Sequence, residues 1–555
     1  MKIYKAKKIY TVDNDFSCEE AIAVDGDKII ELGDLDSLIN KYPTATINYD
    51  YQEQYIYPGF IEPHLHILGT AAMFATLIPA SFTDWTIDGR VYTAVRDSES
   101  FLSALKSRVE EFKDRETLVV WGHYEPLHGP LTTAMLDEID NSRPFAVWGA
   151  SIHKLTMNSK AIEEFKVNEL PDDIFGFLRG DDGKSTGVLI EQAMFKIAAE
   201  HILTKATPAD IMKGLESVLA QGRNKGVTSC VDMGVGITMP LEAELQLLRA
   251  SENVPNMPKC RKGYMFGWQK VYEAKDWSAQ TTFDYVNQHY LDNKDNQTLF
   301  PVKCIKFFAD GAVSDYEIIT KEPFQDGRET GWLHRFADRT EDTLPEDMRL
   351  FWDNDFNIAI HTQGDLAHAK VLDALELLST NGNGRDGQMF IQHMGFTDDE
   401  FFERVKEMTH KPSASITPYY SYHFYESWQK EQLLPKSCFS QLQRARSAVD
   451  AGMKISVNAD IPLMPTNPMM GAYIVMSRRD YHGTEVLPQE SISREEALRC
   501  ITSDAAEQHL LHQIGTLESG KLADFTVLDF DWMTGDIEQL KLLNATACFV
   551  GGEKA

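Results

Sequence analysis

No stretch of this sequence approaches the roughly 18 uninterrupted apolar residues of a membrane-spanning helix. Neither a G-x-G-x-x-G run nor a Walker A loop appears, which removes the usual nucleotide-binding readings. The seven cysteines, at 18, 230, 260, 304, 438, 500 and 548, are scattered, odd in number and without a C-x-x-C pair. They form neither a disulfide framework nor a zinc knuckle, so reduced thiols are the simpler reading. Basic residues are scarce as well: 54 Lys and Arg against 84 Asp and Glu leave a formal net charge of −30. Nucleic-acid and anionic-membrane surfaces need basic patches, so neither partner is expected. The start, Met1 to Tyr10, has no apolar signal-peptide core. Together these absences predict a soluble, cytoplasmic protein.

What is present is ordinary globular material, 43% hydrophobic and 25% charged, over 555 residues, long enough for more than one domain. The first 55 or so residues alternate short β-like runs with turns, and Asp25-Gly26 between two of them is a hairpin signal. Phe525–Asp529 and Ala545–Gly552 repeat that style at the other end. Both ends are therefore predicted to build one small β-sandwich (residues 1–57 and 514–555). The middle, 58–513, alternates strand candidates with amphipathic helices. Strand-like runs are Thr117–Trp121, Phe145–Trp148, Val227–Val231, Val302–Phe308, Ile358–His361, Met389–His393 and Lys454–Asn458, with helix-like stretches at Ala367–Leu378 and Arg494–Ile501. Repeated β-then-α units predict an α/β fold with a parallel sheet, a closed barrel or an open doubly wound one. The stretch from about 69 to 222 is too long for a βα loop and reads as an insertion over the barrel mouth that shapes the substrate pocket.

Candidate chemistry collects at strand ends. His64-Leu65-His66 closes a strand-like run that begins at Tyr55, and residues two apart on a strand face one side. Two imidazoles aimed at one point suit a zinc-like ion, although two histidines can also be satisfied core residues. His361 and His393 each close a further strand candidate, and Asp460 follows another. Barrel active sites are built from C-terminal strand ends, so four such ends carrying ligand-type residues form a pattern.

Longer motifs surround these residues. Pro58-Gly-Phe-Ile-Glu-Pro-His-Leu-His66 resembles PGFxDxHxH, and Ser151–Ser159 resembles GHxxxxNS. Gly183–Glu191 resembles GxPTGxLxE, Gly226–Gly234 GVTSxxDxG, Lys306–Gly311 KxxxDG, His361–Asp365 HxxGD and Ile391–His393 IEH. The tail Ile514–Asp529 matches the same family's return to the sandwich. In this order, over some 470 residues, the chain resembles the amidohydrolase superfamily, in the branch of N-substituted formamide deformylases and related metal-dependent hydrolases. That resemblance implies a (β/α)8 TIM-like barrel carrying the sandwich, and an enzyme.

Carried over residue by residue, the resemblance implies that His64, His66 and Asp460 hold the more buried metal. Lys306 would be carboxylated and bridge two metals, with His361 and His393 on the second; an anionic carbamate can bridge cations that an ammonium would repel. The residues themselves leave open a plain Lys306 paired with Asp310. Two zinc ions per chain are implied, with iron or manganese equally suited to the donors. Asp460 would act as base and then acid around a metal-bound hydroxide, and His153 would help polarise the carbonyl. Tyr124, Trp121 and Trp332 are candidate pocket walls, or core. The implied reaction is hydrolysis of a non-peptide, amide-type C–N bond in a small molecule such as an N-acyl or N-formyl amine. An ester, lactone or carbamate hydrolase with the same centre, and a catalytically inactive scaffold, are the alternatives, and the resemblance allows a homodimer. Two departures stand out: Glu62-Pro63 replaces Asp and a small residue, and Val457-Asn458-Ala459-Asp460 replaces the usual GSD.

Overall fold

Strand alternation accounts for the architecture. In the computed structural model, which describes all residues except 172–173, 276–277, 329, 336–337 and 381, eight strands pair side by side, all in parallel. They are β1 (Phe60–Leu65), β2 (Val227–Val235), β3 (Arg261–Gly267), β4 (Leu299–Phe308), β5 (Asn357–Thr362), β6 (Met389–His393), β7 (Ser413–Ile416) and β8 (Ile455–Val457). The seam between β8 and β1 is drawn together by loop contacts: Ala459 N–H donates to Glu62 Oε1 (3.1 Å) and His66 N–H to Ile461 O (3.2 Å). The result is the expected α/β barrel. Its lower interior is apolar, filled by Val231, Met233, Met265, Val302, Cys304, Ala359 and Phe390. Two residues further along the same faces stand Lys306 on β4, His361 on β5 and Gln392 on β6. One alternation therefore supplies both the greasy floor and the polar upper layer.

Pro63 lies inside β1, and the β1–β2 register slips there: Cys230 faces Glu62 but Asp232 faces Leu65. An irregularity is where a residue without an N–H is tolerated. A Cβ at Gly59 would stand 1.9 Å from Thr228 Oγ1, so only glycine lets the chain enter the barrel here.

Both chain ends meet in one β unit, hydrogen-bonded as a single eight-stranded sheet around its own core of Tyr4, Ile9, Ile22, Ile56, Phe525, Val527 and Phe549. The Asp25-Gly26 hairpin is present, with Gly26 at φ +58. Within the stretch read as an insertion, two of the strand candidates, around Leu118–His123 and Phe145–Gly149, belong to a separate six-stranded mixed sheet, which also holds Ile78–Pro79, Lys154–Met157, Phe177–Arg179 and Ser185–Ile190. This sheet lies between β1 and β2 in sequence. Trp121 packs there against Trp85 (ring centroids 4.7 Å apart) and Phe74, as core. Among the described residues no helix is long and apolar enough to cross a membrane.

A buried ion pair fastens the terminal sheet to the barrel. Arg261 at the start of β3 donates through Nε (2.5 Å) and Nη2 (2.9 Å) to Asp524, beside the strand Phe525–Leu528. Asp524 also accepts from Gly551 N–H (2.7 Å). Breaking one side of such a pair leaves a buried charge uncompensated, so Asp524→Ala should cost about 3–5 kcal/mol. Urea denaturation read by fluorescence checks this; an unchanged first transition would count against the pair as a fastener.

Candidate metal centre and active site

At the C-terminal end of the barrel the side chains converge on Asp460. His64 Nε2 lies 3.3 Å and His66 Nε2 3.7 Å from Asp460 Oδ1, and His393 Nδ1 lies 3.8 Å from Oδ2. Ligand atoms of His64, His66 and Asp460 all fall within 4.8 Å of one another. The His393 ring sits 4.7 Å from that of His64 and 4.3 Å from that of His361. Following the inward-facing Gln392, His393 would turn away from the barrel axis by strand alternation. Its φ of +71 breaks the alternation and returns the ring to the centre. Asp460, at φ +51, leaves β8 by the same left-handed device.

Supporting hydrogen bonds select which nitrogen each ring offers. His64 Nδ1 donates to Gln392 Oε1 at 2.7 Å, leaving Nε2 free to bind. Thr417 Oγ1 donates to Asn458 Oδ1, so it accepts from His393 Nδ1 (2.9 Å), and Nε2 is again the open nitrogen. His361 Nε2 donates to Gly311 O (3.1 Å), which leaves Nδ1. Burial holds all four imidazoles below their ordinary pKa, His66 down to about 3, so they are neutral, the form that binds metal. For Asp460 burial acts the other way, and it is positive charge at the positions of His64, His393 and His66, whether a shared proton or a cation held between them, that brings the carboxyl well below the usual range. Neutral imidazoles, one carboxylate and fixed tautomers are a donor set that fits a divalent metal.

Lys306 is buried beside this group, with its Nζ 5.0 Å from the Phe308 ring centroid. Burial pushes its amine down to about 7, against the pull of Asp460. A Lys306–Asp310 pair is not formed: Asp310 instead accepts backbone N–H groups of Gln363 (2.9 Å), Gly364 (2.8 Å) and Ile319 (3.2 Å). The KxxxDG and HxxGD segments thus interlock through Asp310, a structural role.

His153 reaches the site from the inserted sheet, in the turn before Lys154–Met157. Its Nδ1 lies 3.1 Å from both carboxylate oxygens of Glu191. Burial works to lower the pKa of His153, but the charge and hydrogen bond of Glu191, with Asp315 and Asp460 beyond, raise it to about 9. The imidazolium leaves its Nε2–H free to donate. Two of the sequence motifs meet in this pair, whereas Asn158 of the first motif is wholly structural: it caps Ala161 N–H and bonds Phe145 N–H. Tyr124 is buried with its hydroxyl 3.2 Å from Ser427 Oγ, and Trp332 is buried as well. Sequence reasoning missed the groups that orient the ligands, Gln392, Thr417, Asn458 and Glu191. Glu62, at the place of the family's Asp, is pushed up to about 8 by burial and holds the barrel seam.

A β/α barrel with neutral histidines and a carboxylate at its C-terminal mouth defines a metal-dependent hydrolase. The chain belongs to the amidohydrolase family, whose sequence profile matches residues 49–554. It is 24% identical to the N-substituted formamide deformylase of Arthrobacter pascens, over 96% of this chain and 95% of that protein. It is also 24% identical to YtcJ of Bacillus subtilis (strain 168), a protein named as an amidohydrolase, over 98% and 97% of the two chains. In fold it is similar to an uncharacterized metal-dependent hydrolase from Pyrococcus horikoshii OT3, with a TM-score of 0.71, 18% identity, and 97% and 99% of the chains covered. Membership makes the protein a hydrolase and implies a divalent metal.

Glu191→Gln should remove the carboxylate that keeps His153 charged. The histidine's pKa should fall from about 9 toward the ordinary value of about 6.5. Proton NMR titration of the histidines, with His153→Ala to assign the signal, reads this directly; a signal still titrating near 9 would sink the pairing.

Proposed function

We propose that this protein hydrolyses an amide-type C–N bond of a small molecule, an N-acyl or N-formyl amine. Supporting this is one observation above the rest: a compact His64–His66–Asp460 donor set faces a cationic His153 held by Glu191. His64, His66 and Asp460 would hold one divalent metal, and His361 and His393 a second, both zinc by preference. Lys306, carboxylated, would bridge the two. Only an unprotonated amine adds carbon dioxide, and a lysine brought to about 7 with no ion-pair partner among the described residues suits that reaction. The metal supplies Lewis acidity when bound, lowering the pKa of water and polarising a carbonyl.

The chain's own groups do the rest. Asp460, ionised at neutral pH, receives the proton of the attacking water and returns it to the leaving nitrogen. His153 donates Nε2–H toward the carbonyl oxygen as negative charge develops there. An amide needs that returned proton because an amine anion is a very poor leaving group; an ester needs it far less. The name of the Arthrobacter relative makes N-formyl amines the first substrates to try.

Metal analysis of protein purified without chelator, followed by parallel assays on N-formyl amines, N-acyl amines and matching esters, tests the proposal. About two equivalents of metal with amide cleavage support it. Ester cleavage alone would move the reading to an esterase, and absence of metal with no activity restored by zinc or manganese and bicarbonate would overturn it. Asp460→Asn should retain metal but lose about two or more decades in kcat. Wild-type turnover in that variant would remove Asp460 from proton transfer.

A further inference from the structure

A polar cavity of about 70 Å³ opens where the insertion meets the segments after β7 and β8. Arg96 from the insertion lies in its wall. The guanidinium lies flat against Tyr481, its Cζ 3.3 Å from the ring centroid, and Nη2 donates to His423 Nδ1 at 3.1 Å. His423 is neutral, because burial and the neighbouring Arg96 hold its pKa well below the ordinary value. The buried Nε–H of Arg96 has no acceptor. Among the described residues no carboxylate is in ion-pair contact with this arginine; the charge of Asp84 acts on it only from a distance, and that carboxylate accepts Ala94 N–H at 2.7 Å.

The two acids in the cavity wall are already engaged. Glu426 takes Lys430 at 2.6 Å and His482 at 3.3 Å. Asp480 accepts the backbone N–H groups of His482 (2.9 Å) and Thr484 (2.8 Å). What remains is a half-buried, permanently charged fork whose one hydrogen-bond acceptor among the described residues is neutral. Removing a guanidinium from water costs several kcal/mol unless an anion answers it. Planar guanidinium pairs best with a planar carboxylate or another oxyanion. The volume suits such a group and little more.

We propose that this cavity is an oxyanion site of carboxylate type, with Arg96 as its anchor. Two sources share that chemistry: a carboxylate on the substrate, or a free oxyanion acting from beside the active site. An aromatic layer joins cavity and metal centre. His423 stands 5.2 Å from Phe82, Phe82 5.3 Å from Phe424, and Phe424 6.0 Å from Tyr420, ring to ring. The Tyr420 hydroxyl accepts from Gln363, whose amide also lies 3.2 Å from His361. Filling the cavity would thus press on a wall that reaches a metal-binding histidine.

Titration calorimetry of the full chain with acetate and with inorganic phosphate, at constant ionic strength, tests the site. Saturable binding at one site per chain is expected, weakened about tenfold or more in Arg96→Gln and less in Arg96→Lys. No saturable binding of either anion, or undiminished binding in Arg96→Gln, overturns the proposal. Should Arg96→Gln lose its fold by circular dichroism, crystals of the wild-type protein soaked in selenate decide. Anomalous density in the cavity supports the site, and a cavity without density overturns it. With an active substrate in hand, acetate that raises KM alone identifies the substrate's own carboxylate as the natural occupant. Acetate that changes kcat identifies a free anion.

Discussion

Asp460 is the charge on which the site depends. It is the one ionised group toward which three buried imidazoles turn, and it is held in place by a left-handed backbone rather than by a strand. An uncompensated carboxylate at the mouth of a closed barrel is expensive, and lone pairs turned toward it do not offset that cost. The arrangement makes physical sense when a cation completes it. Each neighbour is consistent with that: the rings are neutral, and one nitrogen each of His64, His393 and His361 is tied to Gln392, Thr417 and Gly311, leaving the other as a lone pair. Lys306, buried beside them, is itself driven toward neutrality.

The barrel was legible in the sequence to the extent that alternation was. Val302, Cys304 and Lys306 repeat every second residue, as do Ala359 and His361, and both strands could be read from that period. β3 and β7 escaped. β3 opens on Arg261 and Lys262, which look like a surface turn, and only the pairing with Asp524 and Glu252 makes them tolerable inside. β7, Ser413-Ala-Ser-Ile416, is short and built of small residues with little β character. Thr117–Trp121 and Phe145–Trp148 fall inside the stretch read as an insertion, but a local pattern does not say which sheet a strand joins, so their separate mixed sheet was not legible.

The site shows the same division. Ligand-type residues at strand ends stood out, because a histidine or aspartate closing an apolar run is conspicuous. Gln392, Thr417 and Asn458 did not, since polar residues beside a histidine are unremarkable until a fold sets their atoms at bonding distance. The Glu191–His153 pair spans 38 residues and closes only when Lys154–Met157 and Ser185–Ile190 pair antiparallel. Positive φ at His393 and Asp460 was invisible too. Neither is a glycine, and both sit where function rather than propensity fixes the backbone.

The distribution of charge separates the two parts of the chain by task. In the barrel, burial holds His64, His66, His361, His393 and Lys306 below their ordinary pKa values, which leaves a cage of lone pairs around Asp460. The insertion brings the opposite: His153, kept protonated by Glu191, is a hydrogen-bond donor set against that cage. A donor and a lone-pair cage on facing sides is the polarity that a carbonyl requires, oxygen toward the proton and carbon toward the nucleophile. Neither the barrel nor the insertion has it alone. Under the proposed function, substitutions within the inserted sheet would change how a carbonyl is polarised while the donor set in the barrel stays fixed. By the same proposal, the metal-binding part of the reaction would be read from β1 to β8, and the handling of the carbonyl from the residues between β1 and β2 as well.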